Sequence, residues 1–271
     1  MVIALLTASV AACTATTDDA LPTDGAVRVV DGDTLVIERD RVEERVRIIG
    51  INTPESGECL ADAAGERLAE LVADGPIELI PDTTDTDSFG RLLRYVETGT
   101  GAIVVDVGAV LVAEGLAIAR RYEPDVARAA TYERLQDDAR ASRVGLWAPD
   151  ACGPATEAAG TIEVRVNADP PGDDTDALDG EWVEFINTTS DKIDLAGFTV
   201  ADESASNRFS FDEAVLAPLG TLRLVTGCGT DTDTVVHWCA TGSAVWNNDG
   251  DTVFLRDQAG NIVVATTYER P

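Results

Sequence analysis

One break in composition divides this chain and limits what it can fold into. The stretch WAPDACGPATEAAG, residues 147–160, is rich in Pro, Gly and Ala and interrupts the pattern on both sides. Before it, strand-like alternation gives way repeatedly to helical spacing; after it, nearly every segment is a short strand bounded by turn residues. A chain of 271 residues accommodates two ordinary domains. The expected layout is an apolar segment over 1–13, a polar tether over 14–25, a first domain over 26–150, a linker over 151–160 and a second domain over 161–271. No solenoid repeat is present.

In the first half, AVRVVDGDTLVIE reads as a strand, a turn at Asp31-Gly32 and a second strand, and ERVRIIGINTPE as a third strand running into a loop. CLADAAGERLAELVAD has helical spacing, with Leu60, Ala64, Leu68 and Leu71 on one face. PIELIPD and RLLRYVE follow as strands, then VDVGAVLVAEGLA and PDVARAATYERLQDDARAS as helices. The order β-β-β-α-β-β-α-α suits a five-stranded barrel with packed helices, as in the OB-fold. In the second half, TIEVRVNA, EWVEFINT, KIDLAGFTVAD, NRFSF, TLRLVTG, TVVHWC, TVFLRD and IVVATTY are short strands at regular spacing, which predicts a β-sandwich. The fold class is therefore mostly β with helices.

Charge narrows the setting. Acids number 49 against 20 bases, a net charge of −29, and Lys192 is the only lysine. A hydrophobic fraction of 45% excludes a disordered chain. An acidic, lysine-poor surface suits a protein that must stay hydrated in concentrated salt; the rival reading is an acidic protein that binds cations or basic partners. Fourteen of the arginines precede residue 150, so the first half is the place to look for a phosphate site.

MVIALLTASVAAC is apolar, ends in small residues before Cys13, and is too short to span a bilayer as a helix. No basic stretch precedes it, so an upstream start is compatible with the sequence. VAAC resembles the lipobox of exported lipoproteins, in which the cysteine takes a lipid; a plain signal peptide with a chance Cys13 is the alternative. The lipobox reading implies a membrane partner through Cys13 and a location at the outer face of the cell membrane. The other cysteines, Cys59, Cys152, Cys228 and Cys239, are even in number, as disulfides in an exported chain would be. Three pairings are open to them; one pair in each half, Cys59–Cys152 and Cys228–Cys239, is the simplest. No CxxC occurs and His237 is the only histidine, which argues against zinc.

The string DGDT stands twice, at Asp31–Thr34 and at Asp249–Thr252. Around the first copy, chemistry accumulates. Asp33 follows a strand-to-strand turn; Arg47, Asn52, Thr53 and Glu55 crowd the end of the third strand and its loop; Arg91 follows the turn TDSFG. Asp, Asn and backbone carbonyls are oxygen ligands suited to Ca²⁺, two arginines offer forked donors to a phosphate, and a glutamate beside them can activate water. Together these are the parts of metal-assisted phosphodiester hydrolysis. Asp31 and Thr34 are expected to shape the turn and support Asp33, Asp87 to shape the loop before Arg91 or assist the metal, and Trp147 to be a core residue. Arg120 and Arg121, at a helix end, read as a solvated face, with a nucleic-acid contact as the alternative. The second DGDT has neither an arginine pair nor a positioned glutamate, and reads as turn chemistry; His237 reads as structural.

VVDGDTLVI, RVRIIGINTPES, DSFGRLLRYV, VLVAEGLA and SRVGLW also resemble, in order and spacing over about residues 26–149, the staphylococcal nuclease (thermonuclease) family. The resemblance implies an OB-fold nuclease that hydrolyses DNA and RNA with Ca²⁺. It makes Asp33, Asn52 and the Thr53 carbonyl the calcium ligands, Glu55 the general base, and Arg47 and Arg91 the binders of the scissile phosphate. Two departures stand out: Phe89 occupies a position where the family often has Tyr, and Asn52 one where it has Asp, which removes a charge and implies weaker calcium binding. EWVEFINTTSDKIDLAGFTVAD and WNNDGDTVFLRDQAGNIV resemble the lamin-tail domain, an immunoglobulin-like module, over about 161–270. With the acidity and the lipobox, the whole resembles a haloarchaeal exported lipoprotein. The expectation is a secreted or surface-tethered calcium nuclease with an accessory sandwich. The alternatives are a weak or inactive nucleic-acid-binding module and a surface adhesion protein.

Overall fold

A computed structural model describes residues 27–39, 41–73, 75–101, 103–172, 178–204, 206–240 and 244–269. Cys13 and the expected leader and tether lie outside the described residues.

The first half contains β1 (Val27–Val29), β2 (Thr34–Arg39), β3 (Val42–Ile48), β4 (Ile51–Asn52), α1 (Ala61–Ala73), β5 (Ile77–Ile80), β6 (Leu92–Thr100), β7 (Ile103–Asp106), α2 (Val107–Ala113), β8 (Ile118–Ala119) and α3 (Ala129–Ser142). Five strands run in the order β1-β2-β3-β6-β5, with β7 on β6 and a separate pair β4-β8. β3 and β6 pair in parallel, and Leu35, Ile37, Val46, Ile48, Leu79 and Val96, all fully buried, share one core. Helix α1 buries Ala61, Ala64, Leu68 and Val72 against this core. The apolar face is thus offset from the expected one: Leu60 precedes the helix in the left-handed region (φ 64°), and Leu71 is only half-buried. Two further differences have local causes. Strand β7 carries exposed Ile103 and Val104, so it shows no alternation toward a core. Helix α3 starts at Ala129, beyond the expected start, because the buried Asp125 carboxylate accepts the backbone N–H groups of Thr83 and Thr84 and so holds the preceding turn onto another loop.

The second half is a sandwich of short strands: β9 (Ile162–Asn167), β10 (Trp182–Asn187), β11 (Ile193–Asp194), β12 (Thr199–Ala201), β13 (Arg208–Ser210), β14 (Val215–Leu216), β15 (Thr221–Val225), β16 (Val235–His237), β17 (Gly250–Arg256) and β18 (Ile262–Glu269). One sheet runs β16-β15-β10-β9, the other β13-β12-β17-β18, with β11-β14 as a small pair. Val183, Phe185, Leu222 and Leu224 of the first sheet and Val200, Val253 and Leu255 of the second share one core with Trp246. His237 Nδ1 lies 2.9 Å from Asp231 Oδ1, a local loop contact.

The two halves are stitched together. Cys59 is bonded to Cys152, with Cα atoms 5.6 Å apart, and Cys228 to Cys239. The Cys152 N–H donates to Asn261 Oδ1 at 2.8 Å, so the segment after Trp147 is fastened to the sandwich. Ile118 and Leu146 from the first half bury with Phe254 and Ala265 from the second, and the Trp147 ring packs 6.4 Å from that of Phe254. Burying this apolar patch favours one fixed arrangement of the two halves.

Candidate active site

Strand register builds the site. The antiparallel pairing of β2 and β3 sets Thr34 opposite Arg47, so the first DGDT turn and the end of β3 are neighbours across the sheet. Gly32 is required there: a Cβ at this position would fall 2.7 Å from Ala64 Cβ and 2.8 Å from Thr53 Cβ. Asp31 Oδ1 accepts the Asp33 N–H at 3.1 Å and shapes the turn. The Asp33 carboxylate, almost wholly buried, accepts from Thr34 Oγ1 at 3.2 Å, from the Thr53 N–H at 3.0 Å and from Arg47 Nη2 at 2.9 Å. The same Arg47 Nη2 donates to Asn52 Oδ1 at 3.0 Å, and Nη1 to the Ile48 carbonyl at 2.6 Å. Asn52 Nδ2 turns the other way and donates to the carbonyl of Glu203, in the second half, at 3.2 Å.

Burial opposes charge on both members of the Asp33–Arg47 pair. It raises the Asp33 carboxyl above the usual range, which Arg47 counteracts, and it lowers Arg47, which Asp33 counteracts and the charges of Arg91 and Arg120 reinforce. Glu55 is exposed at the rim, its N–H held by Glu58 Oε2 at 3.0 Å. Partial desolvation raises the Glu55 carboxyl, and the negative charges of Asp33, Asp31 and Glu58 add to that; a raised carboxyl is a better proton acceptor near neutrality. Arg91 is set by Asp87, whose Oδ1 accepts the N–H of Phe89 and of Arg91 at 2.9 Å and whose Oδ2 takes Arg91 Nε at 2.7 Å. Phe89 is 83% exposed, with the Arg91 guanidinium 5.6 Å from its ring centre.

Asp33, Arg47, Asn52 and Thr53 are therefore in direct contact, and Glu55 and Arg91 act on them electrostatically. Among the described residues no group of three or more His, Cys, Asp or Glu converges as a metal cluster, since Asp33 is the only carboxylate in this contact set. Asp33 Oδ2 and Asn52 Oδ1 both accept from one Arg47 nitrogen; they are hard oxygens of the kind a hard cation takes, and a cation would take them by displacing that guanidinium. Arg120 is not the solvated residue expected: it is half-buried, and its charge acts on Arg47, Asp202 and Glu203. Arg121 is exposed and pairs with Glu133.

The second DGDT does shape a turn, but not an isolated one. Asp251 Oδ2 accepts from Asn247 Nδ2 at 3.1 Å, its Oδ1 from the Thr252 N–H at 2.8 Å, and Thr252 Oγ1 donates to Glu203 Oε1 at 2.5 Å. Glu203, which receives Asn52, is thus braced by the second copy of the motif. Burial pushes its carboxyl up to about 7. Strand patterning carries no signal of this meeting, because it depends on how two domains dock.

The family model described as staphylococcal nuclease homologue matches residues 45–149, and that described as lamin tail domain matches residues 155–270. Over 126 residues the chain is 34% identical to a micrococcal nuclease of Shigella flexneri, covering 45% of this chain and 71% of that one. The chain belongs to the staphylococcal nuclease family. It is also 32% identical over 126 residues to a thermonuclease of Staphylococcus intermedius, with 44% of this chain and 73% of the relative covered, and 35% identical over 128 residues to Protein ParB of Escherichia coli, with 45% and 70% covered. Within this staphylococcal nuclease homologue Arg47, Asn52, Thr53, Glu55 and Arg91 fall inside the matched residues 45–149, Asp33 precedes them, and Glu203 lies in the lamin-tail match.

Proposed function

We propose that the chain is a calcium-dependent nuclease that hydrolyses phosphodiester bonds of DNA, RNA or both. The observation that supports this reading is the convergence of Asp33 Oδ2 and Asn52 Oδ1 on one Arg47 nitrogen, with Glu55 and Arg91 around them. Asp33, Asn52 and the Thr53 carbonyl would hold Ca²⁺, which when bound supplies positive charge to the phosphoryl oxygens. Glu55 takes the proton of the attacking water, a role its raised carboxyl suits. Arg47 and Arg91 bind the phosphate and stabilise the charge that grows on it. Asp87, by fixing Nε of Arg91, orients that guanidinium.

Hydrolysis of single- and double-stranded substrates, measured in molar salt with added calcium and again with a chelator, tests the reading. Turnover that needs calcium supports it, and no turnover under any of these conditions rejects it. A catalytically weak form of the same site is the second reading. It is favoured by Asn52, whose amide brings no charge and whose Nδ2 is committed to Glu203. Export, with a lipid on Cys13 holding the protein at the outer membrane face, belongs to the same proposal; two disulfides support the exported part, since such bonds persist in oxidising compartments. Moving Cys13→Ser from the membrane fraction to the medium tests the anchor.

A further inference from the structure

Between the two halves, beside the loop Asn52–Glu55, lies a small, open cleft whose enclosed part holds about 30 Å³, so a larger ligand would sit across its mouth. One wall is the nuclease loop; the other is Asp202, Ser204, Arg208 and Arg256 of the sandwich. The walls are joined through a single carboxylate: Glu58 Oε2 accepts the N–H of Glu55, and Glu58 Oε1 pairs with Arg208 Nη1. Arg208 therefore stands one side chain away from the backbone of the candidate base. Arg256 is more deeply placed. Burial lowers its guanidinium to about 10, which the Glu58 carboxylate counteracts and the Arg208 charge reinforces; its direct contacts are the Gly260 carbonyl at 3.4 Å and the Phe254 ring, and no carboxylate lies within ion-pair distance of it among the described residues. A desolvated arginine that has only a share in the Glu58 carboxylate, already paired with Arg208, is costly unless a further anion meets it. Asp202 lines the same cleft, but its oxygens are taken up by Ser204 and Asn207 of its own loop.

We propose that Arg208 and Arg256 bind a backbone phosphate of the nucleic-acid chain adjacent to the scissile one, so that the lamin-tail sandwich is one wall of the substrate cleft rather than an appendage. The second half carries 6 bases among its residues after 150, and two of them point into this cleft. Forked guanidinium donors match a phosphate, and the cleft is continuous with the loop that carries Glu55. A phosphate there exchanges with Glu58 for Arg208 and gives Arg256 an anion in direct contact, which Glu58 does not provide. The proposal rests on the nuclease reading, and it extends the substrate site to a second nucleotide unit.

The test uses the full chain, with a fluorescent single-stranded oligonucleotide and the small diester bis(p-nitrophenyl) phosphate, which fills only the scissile position. In Arg256→Gln the oligonucleotide KM rises about tenfold or more, the scale of one charge-assisted contact, while kcat and small-diester turnover stay within about twofold. Oligonucleotide binding, followed by anisotropy without turnover, weakens in parallel. Its log K against log salt flattens by about 0.7, the signature of one lost phosphate contact on a single strand. Arg256→Lys recovers part of the affinity, and Arg208→Gln, at a more exposed position, repeats the effect if Arg256→Gln fails to fold. Equal oligonucleotide binding and salt slope in wild type and variants overturn the proposal, as does an equal loss on both substrates. A wild type that binds the oligonucleotide through these arginines but cleaves neither substrate rejects the nuclease reading and leaves the phosphate site standing.

Discussion

At the scale of single residues, Asn52 joins the two halves of the site. Its Oδ1 accepts from Arg47 and its Nδ2 donates to the Glu203 carbonyl, a pair of roles that a carboxylate cannot fill, because it has no N–H and would set two oxygens face to face. Asn52→Asp is therefore expected to do two opposite things. Added charge lowers the calcium concentration for half-maximal rate, since affinity follows the number of charged ligands. Loss of the Glu203 bond loosens the second domain, visible as a lower unfolding midpoint without calcium. A calcium titration and a melting curve on both forms check this; an unchanged calcium midpoint removes Asn52 from the ligand set. Glu55→Gln and Arg91→Ala are each expected to cut turnover by roughly 10²–10⁴-fold with the fold intact. Wild-type rates in both variants would place the chemistry elsewhere.

At the scale of elements, strand alternation and the DGDT turn made most of the nuclease half legible, because β2, β3 and β6 each carry buried residues at every second position or in short runs. The roles of Asp31, Thr34 and Asp87 were readable for the same reason: each acts within a few residues of itself. What escaped was long-range. Nothing local distinguishes Arg120 from a solvated arginine, or marks Glu203, Arg208 and Arg256 as neighbours of Glu55. The register of β17 also buries Asp251, which leaves a measurable trace. Burial first, then the charge of Asp202, pushes its carboxyl up to about 6 from 3.8. A carboxyl raised on folding stabilises fully below its unfolded value and loses that share as pH rises through its folded one. The share from Asp251 is therefore lost between about pH 4 and 6. An NMR titration with a midpoint near 6 is expected; a midpoint near 4 would mean that the loop of Glu203 is open in solution.

At the scale of the whole molecule, a net charge of −29 should repel nucleic acid. The Debye length is about 3 Å at 1 M salt, so that repulsion is confined to contact distance there, whereas arginines buried in the cleft are screened less. Turnover is expected to persist or rise from low to molar salt, measured at fixed calcium. A steep fall over that range counts against both the salt adaptation and the arginine contacts.

The bond between Cys59 and Cys152 spans 93 residues of sequence. It turns most of the nuclease half, including Arg91 and both later helices, into a covalent ring. A protease that cuts once inside that ring, for instance at the exposed turn carrying Phe89, releases no fragment. On a gel the cut chain runs as one band until a reductant is added and as two afterwards. Damage of this kind would leave the Asp33–Arg47 side of the site joined to the sandwich wall, so a nicked molecule can still present both sides of its cleft.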